Sequence, residues 1–116
     1  MKQPLENRTK IFALEIIKFT ATLPRNAIAD VLGRQLLKSG TSIGANYREA
    51  ARVESHDDFI HKIGICAKES AETQYWLELF LEVKLVDIKK CEVLHREPSE
   101  LLAIFVASGR TAKRRR

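Results

Sequence analysis

Proline and glycine are scarce in this sequence, three and five among 116 residues. A chain of many short strands needs frequent turns built from those residues, so their scarcity argues against an all-β fold and for long, uninterrupted helices. Cysteine is limited to Cys66 and Cys91, which stand in apolar helical patterns without a C-x-x-C spacing or histidine-rich company. A disulfide framework and a structural zinc site are therefore not expected, and a reducing cytoplasm is the natural compartment. No apolar run approaches the roughly 20 residues a membrane-spanning helix requires. The opening segment, MKQPLENRTK, lacks the apolar stretch of a secretory signal, which again predicts a cytoplasmic protein with no membrane partner. Internal repeats are absent too, and low complexity is confined to the basic C-terminal end.

What is present begins with charge. The chain carries twenty basic and fifteen acidic residues, a net charge of +5. Arg110, Lys113, Arg114, Arg115 and Arg116 supply five of the positive charges within the last seven residues. Without them the remainder is formally neutral, so the pI near 9.4 belongs to one end of the chain and not to its body. The sequence accordingly divides into a bundle over 1–109 and a basic tail over 110–116, and the fold as a whole is not marked as a polyanion binder.

Hydrophobic periodicity predicts four helices. The first runs from about Leu5 to Leu23, with Phe12, Ile16, Phe19 and Leu23 on one face and Pro24 ending it. Asn26 caps the second, from about Ala27 to Val53, along which Leu36, Ser39, Ile43 and Ala50 face inward. Ser55 opens the third, with Asp58 three residues on as an approximate capping box, and it extends to about Val83. The last spans about Ile88 to Ser108, kinked near Pro98, with Gly109 as its stop. Short connections between long helices imply an all-α, antiparallel, up-down-up-down four-helix bundle.

Two features exceed a generic bundle. Gly33, Gly40 and Gly44 fall on one flank of the second helix, where each costs roughly 0.8–1 kcal/mol relative to alanine. Close approach of a neighbouring helix explains that placement, and Asn46 stands near the inward edge of the same helix. The third helix is apolar on two sides. Beside its core stripe, Ile65, Trp76, Leu79 and Val83 form a second flank edged by Tyr75 and flanked by Glu69 and Glu72. One bundle buries only one such surface, so this flank is the expected contact between copies. Asn46, Glu49, Glu69 and Glu72 are read as a hydrogen-bonded network that fixes helix or subunit register.

No catalytic constellation emerges, and no cofactor or metal is expected. Glu92 and His95 have the E-x-x-H spacing of di-iron bundles, but that site needs a second such element and two further inward glutamates. His56 and His61 are five residues apart and do not stack at i, i+4. GTSIGA lacks the Gly-Lys-Ser/Thr ending of a phosphate loop. Positive charge gives the clearer lead: Arg34, Lys38, Arg48 and Arg52 share one side of the second helix, and the basic end adds a phosphate-contacting segment. The end holds no aromatic residue, so base stacking by it is not supported.

The stretch QLLKSGTSIGANYREA, Gln35 to Ala50, with DFIHKIGICAKESAETQYWLEL, Asp58 to Leu79, resembles a known family. It is similar to the four-helix-bundle proteins encoded by intervening sequences within bacterial large-subunit rRNA genes. Gln35, Leu36, Ser42, Ile43, Asn46 and Glu49 match in the first stretch, and Phe59, Lys68, Glu69, Glu72 and Trp76 in the second. Ala50 departs from a glycine frequent there, and Arg48 from a small residue. The resemblance implies a cytoplasmic homo-oligomer, often a pentamer, with no established enzymatic activity. A similar architecture occurs in retroelement accessory proteins that bind a reverse transcriptase and nucleic acid. The expectation is thus a non-enzymatic, self-assembling adaptor for RNA or DNA. A protein-binding scaffold using the apolar flank of the third helix is the first alternative, and a metal-dependent enzyme the second.

Overall fold

The computed structural model describes residues 4–115. Among them the chain forms four helices, α1 (Leu5–Ala21), α2 (Ala27–Ala50), α3 (His56–Val83) and α4 (Ile88–Arg114), with no strand. Three starts are capped by side chains, which satisfy amide donors that a helix leaves unpaired in its first turn. Asn26 Oδ1 accepts from the Ala29 amide at 2.8 Å, Ser55 Oγ from Asp58 at 3.0 Å, and Asp87 Oδ1 from Lys90 at 3.2 Å. α1 begins instead after Pro4, whose φ of −55° already suits a helix. Lys84 ends α3 in the left-handed region at φ 55°, a position where glycine is the ordinary choice.

Contacting pairs run in opposite senses along each successive pair of helices. Gly33, Gly40 and Gly44 of α2 meet Leu23, Ile16 and Thr9 in descending order. Ser39 meets Thr73 and Glu49 meets Lys62 between α2 and α3, while Glu78 meets His95 and His56 meets Ala112 between α3 and α4. Neighbours in sequence are therefore antiparallel neighbours in space. α1 touches α4 only sparsely, and its firmest link to that helix is Arg8, whose guanidinium donates to both oxygens of Glu97 at 2.8 and 2.7 Å. That paired carboxylate holds the Arg8 pKa above its usual range. The core between the helices is closed by Ile16, Leu36, Ile43, Ile63, Leu77 and Phe80, each at most 1% exposed.

The glycines set the α1–α2 spacing. A methyl group at Gly40 would stand 3.0 Å from both γ carbons of Ile16, at Gly44 3.2 Å from Thr9 Oγ1, and at Gly33 2.8 Å from Leu23 Cδ1. Ile16 is buried and β-branched, so it has little room to move aside. Gly64 is the contrast, since nothing lies within 4 Å of a methyl group there. Gly64→Ala is expected to stabilise the fold by about 0.8–1 kcal/mol, and Gly40→Leu to destabilise it by about 1–3 kcal/mol. Chemical denaturation midpoints at constant slope check both signs.

The last helix differs from the sequence expectation. It passes through Pro98 and does not stop at Gly109, continuing to Arg114. The reason lies in packing. Ala112 is buried, and its carbonyl accepts from His56 Nε2 at 2.6 Å, so α3 supports the final turns of α4. Gly109 stands against Ile63, whose Cγ2 is 3.8 Å from where a methyl group would sit. α2, expected to reach Val53, ends three residues sooner at Ala50.

Candidate nucleic-acid and assembly surfaces

The basic end is built on an ordered helix. Arg110, Lys113 and Arg114 lie on the last turns of α4 and are exposed, followed by exposed Arg115; Arg116 lies outside the described residues. Spacings of three and four residues put Arg110, Lys113 and Arg114 on neighbouring positions of one helical surface, roughly 5–6 Å apart. Cations are also favoured here by the carbonyl end of the helix dipole. Among the described residues none of these three forms an ion pair, so their charge is directed to solvent.

The basic row on α2 divides in two. Arg52 Nη1 donates to Glu6 Oε1 at 2.8 Å, and Arg48 Nε lies 3.8 Å from the same oxygen. The hydrogen bond and charge of Arg52 hold the Glu6 carboxyl below the usual range. Both arginines thus fasten α2 to the start of α1. Arg34 and Lys38, ten to eighteen residues earlier, are exposed and form no ion pair among the described residues. Arg34, Lys38 and Arg48 share a side of the helix and Arg52 lies just beyond its end; of the four, Arg34 and Lys38 form no ion pair among the described residues, though the charge of Lys38 reaches Glu69.

The second flank of α3 is partly covered by its own chain. Ile65, Glu69, Trp76 and Leu79 are half-buried, whereas Glu72, Tyr75 and Val83 are exposed. Trp76 packs against the bundle's own core, and Glu69 lies within reach of the charge of Lys38 on α2. Trp76 Nε1 is enclosed without a hydrogen-bond partner among the described residues, and its ring meets Tyr75 edge-on at 5.1 Å. Burial and the neighbouring charge of Glu72 hold the Glu69 carboxyl above the usual range. The expected network does not converge. Asn46 Nδ2 donates to Ser42 O in its own helix at 2.8 Å, and Glu49 pairs with Lys62 at 3.0 Å.

A further apolar face was missed. Ile11, Leu14 and Ile17 on the outer side of α1 are each more than 40% exposed. Their i, i+3, i+6 spacing, opposite Phe12, Ile16 and Phe19, was available in the sequence as a signal. α1 is thus apolar on two sides, as α3 is.

The chemical candidates have structural partners. His95 Nε2 lies 3.0 Å from Glu78 Oε2, tying α4 to α3, and His56 holds the Ala112 carbonyl. Burial pushes the Cys66 thiol up to about 12 and the Cys91 thiol to about 11, which suppresses their nucleophilic thiolate forms. Among the described residues no three His, Cys, Asp or Glu side chains converge as a metal site, and no helix is long and apolar enough to cross a membrane.

Comparison with known proteins places this architecture. The model of the 23S rRNA-intervening sequence protein family matches residues 5–107, nearly the whole bundle. The chain belongs to that family. It is also similar to the crystal structure of a protein of unknown function from the S23 ribosomal protein family of Bacteroides thetaiotaomicron VPI-5482. The two share 34% identity and superpose with a TM-score of 0.83, over 90% of this chain and 96% of that one. Comparison with curated proteins finds no match. The match of the family model ends at residue 107, before the basic turns of α4.

Proposed function

We propose that this chain is a non-enzymatic, cytoplasmic helical bundle that assembles with copies of itself and serves as an adaptor for nucleic acid. The observation that carries the reading is the row Arg110, Lys113 and Arg114, exposed on supported turns of α4. A helix presenting cations at fixed spacing loses less freedom on meeting a phosphate backbone than a flexible tail does. The contacts offered are to phosphates and not to bases, since these turns carry no aromatic residue and no amide side chain. Arg34 and Lys38 of α2 carry further positive charge, toward the opposite end of the bundle from these turns. Assembly repeats each weak contact and raises the overall affinity by multivalency, the pentamer being the number that the family resemblance implies.

Binding to short RNA and DNA duplexes, followed by fluorescence anisotropy across salt concentrations, tests the proposal. The expected result is little sequence preference and an affinity falling linearly on a log–log plot, with a slope of about −0.9 for each phosphate neutralised. Absent or salt-independent binding sinks the nucleic-acid reading. The protein-scaffold alternative would then be taken up by co-purification with and without nuclease.

A further inference from the structure

The start of α3 and the end of α4 border a cavity of about 420 Å³, lined by His56, Phe59, Ser108, Thr111, Ala112 and Arg115. Small-molecule sites commonly have volumes of about 300–1,000 Å³, so there is room for a ligand. The antiparallel course of the two helices creates it. His56 and Phe59 stand one turn apart on α3, and Ser108, Thr111, Ala112 and the C-capping Arg115 follow one side of α4. The hydrogen bond from His56 Nε2 to the Ala112 carbonyl, 2.6 Å long, joins the two walls. The cavity thus belongs to the same supported turns that carry Arg110, Lys113 and Arg114.

Its hydroxyls are exceptional. Every other serine and threonine of the described residues makes a side-chain hydrogen bond, most of them back to a carbonyl of their own helix. Ser108 and Thr111 make none among those residues, and both line this cavity. Phe59 is half-buried, and its ring pairs with no other aromatic ring among the described residues. An aromatic wall, two hydroxyls that each donate and accept, and a cation therefore share one opening.

These groups select against the simpler occupants. An inorganic anion would surrender hydration against Phe59 and Ala112, with Arg115 as the one permanent cation of the lining. An aliphatic chain would cover the Ser108 and Thr111 hydroxyls and leave them unpaired. A nucleobase meets both conditions, because its face stacks on an aromatic ring and its edge donates and accepts hydrogen bonds. Asp57 and Asp58 share the first turn of α3 but do not line the cavity. Their charge turns a phosphate away from α3 and toward Arg114 and Arg115.

In a duplex the bases are paired and stacked within the helix, whereas a single strand can turn them outward. We infer that this cavity receives one unpaired base of a single-stranded nucleic acid. The base stacks on Phe59, Ser108 and Thr111 bond its edge, and Arg114 and Arg115 take the flanking phosphates. The inference rests on the nucleic-acid reading and adds the form of nucleic acid preferred. The basic turns alone offer contacts to phosphates, and α3 supplies the aromatic ring they lack. Because hydroxyls both donate and accept, the site separates unpaired from paired bases and not one base from another.

Fluorescence anisotropy with three probes of equal length tests it: a single-stranded DNA, the same strand with abasic sites in place of its bases, and the duplex. The abasic strand keeps every phosphate and loses only stacking and edge contacts. Wild type is expected to bind the strand about tenfold more tightly than its abasic form at the same salt. Phe59→Leu is expected to abolish that preference and to leave duplex binding unchanged. Phe59 also packs on the core, so Ser108→Ala with Thr111→Val supplies a second variant that leaves the ring in place. It is expected to lower the preference by about threefold or more. Circular dichroism confirms folding, and the double variant decides alone where Phe59→Leu does not fold. Equal affinity of wild type for the strand and its abasic form overturns the base site and leaves the phosphate reading standing. A preference that survives unchanged in either folded variant also overturns the placement. Failure to bind any of the three probes overturns the nucleic-acid reading itself, so the two failures are distinct.

Discussion

Phe80→Ala is expected to lower the stability of the fold by about 3–5 kcal/mol, the cost of removing a buried aromatic ring and leaving a partly unfilled cavity. Single domains of this size unfold with about 5–15 kcal/mol in total, so this one substitution threatens the folded state at ordinary temperature. Phe80 has no exposed surface and meets Phe19 of α1 edge-on, with ring centroids 5.8 Å apart. The position matters because α1 is the helix with the fewest ties. It packs on α2 through the glycines and reaches α4 through little more than Arg8. Loss of the ring therefore loosens α1 as well as emptying the centre. Denaturant unfolding reports the change as a shift in midpoint, and a double-mutant cycle with Phe19→Ala is expected to give a coupling of about 0.5–1.5 kcal/mol from the ring pair. A loss below about 1 kcal/mol would contradict the central place assigned to Phe80.

Replacing Arg110, Lys113 and Arg114 together by glutamine is expected to reduce the salt dependence of nucleic-acid binding by about three units of log–log slope, one for each phosphate contact removed. At roughly 50 mM salt the affinity should fall more than about tenfold. Glutamine keeps a good helix propensity, and the buried Ala112 with its bond from His56 remains, so the α4 end stays formed and only its charge is lost. Arg52→Gln supplies the control. Its guanidinium is already given to Glu6, so its removal should alter the slope by less than about one unit. An unchanged slope in the triple variant would detach the basic turns from the binding surface.

The helices themselves were legible because their signals are local. Asn26, Ser55 and Asp87 bond within three residues of themselves, and apolar periodicity needs only one turn of context. The glycine flank of α2 was legible for the same reason, as the flank is a property of one helix. What it faces is not, and only the fold shows Ile16 and Thr9 filling the space. The end of α4 was misread at Gly109. A glycine after an apolar run is a reasonable local stop, yet the bond from His56 to Ala112, 56 positions apart in sequence, overrides it.

The surfaces divide along the same line. Composition determined an all-α chain with a neutral body and positive charge gathered at one end, because those follow from residue counts and spacings. Tertiary packing decided which charges stay available. Arg48 and Arg52 are taken by Glu6, while Arg110, Lys113 and Arg114 stand exposed on ordered turns with no ion pair among the described residues. It also decided which apolar flanks remain open. Trp76, on the α3 flank that patterning marked for contact between copies, packs against the chain's own core, and α1 keeps Ile11, Leu14 and Ile17 in water. Periodicity states that a helix has two apolar sides. Which side a neighbour covers depends on how helices distant in sequence are placed against it.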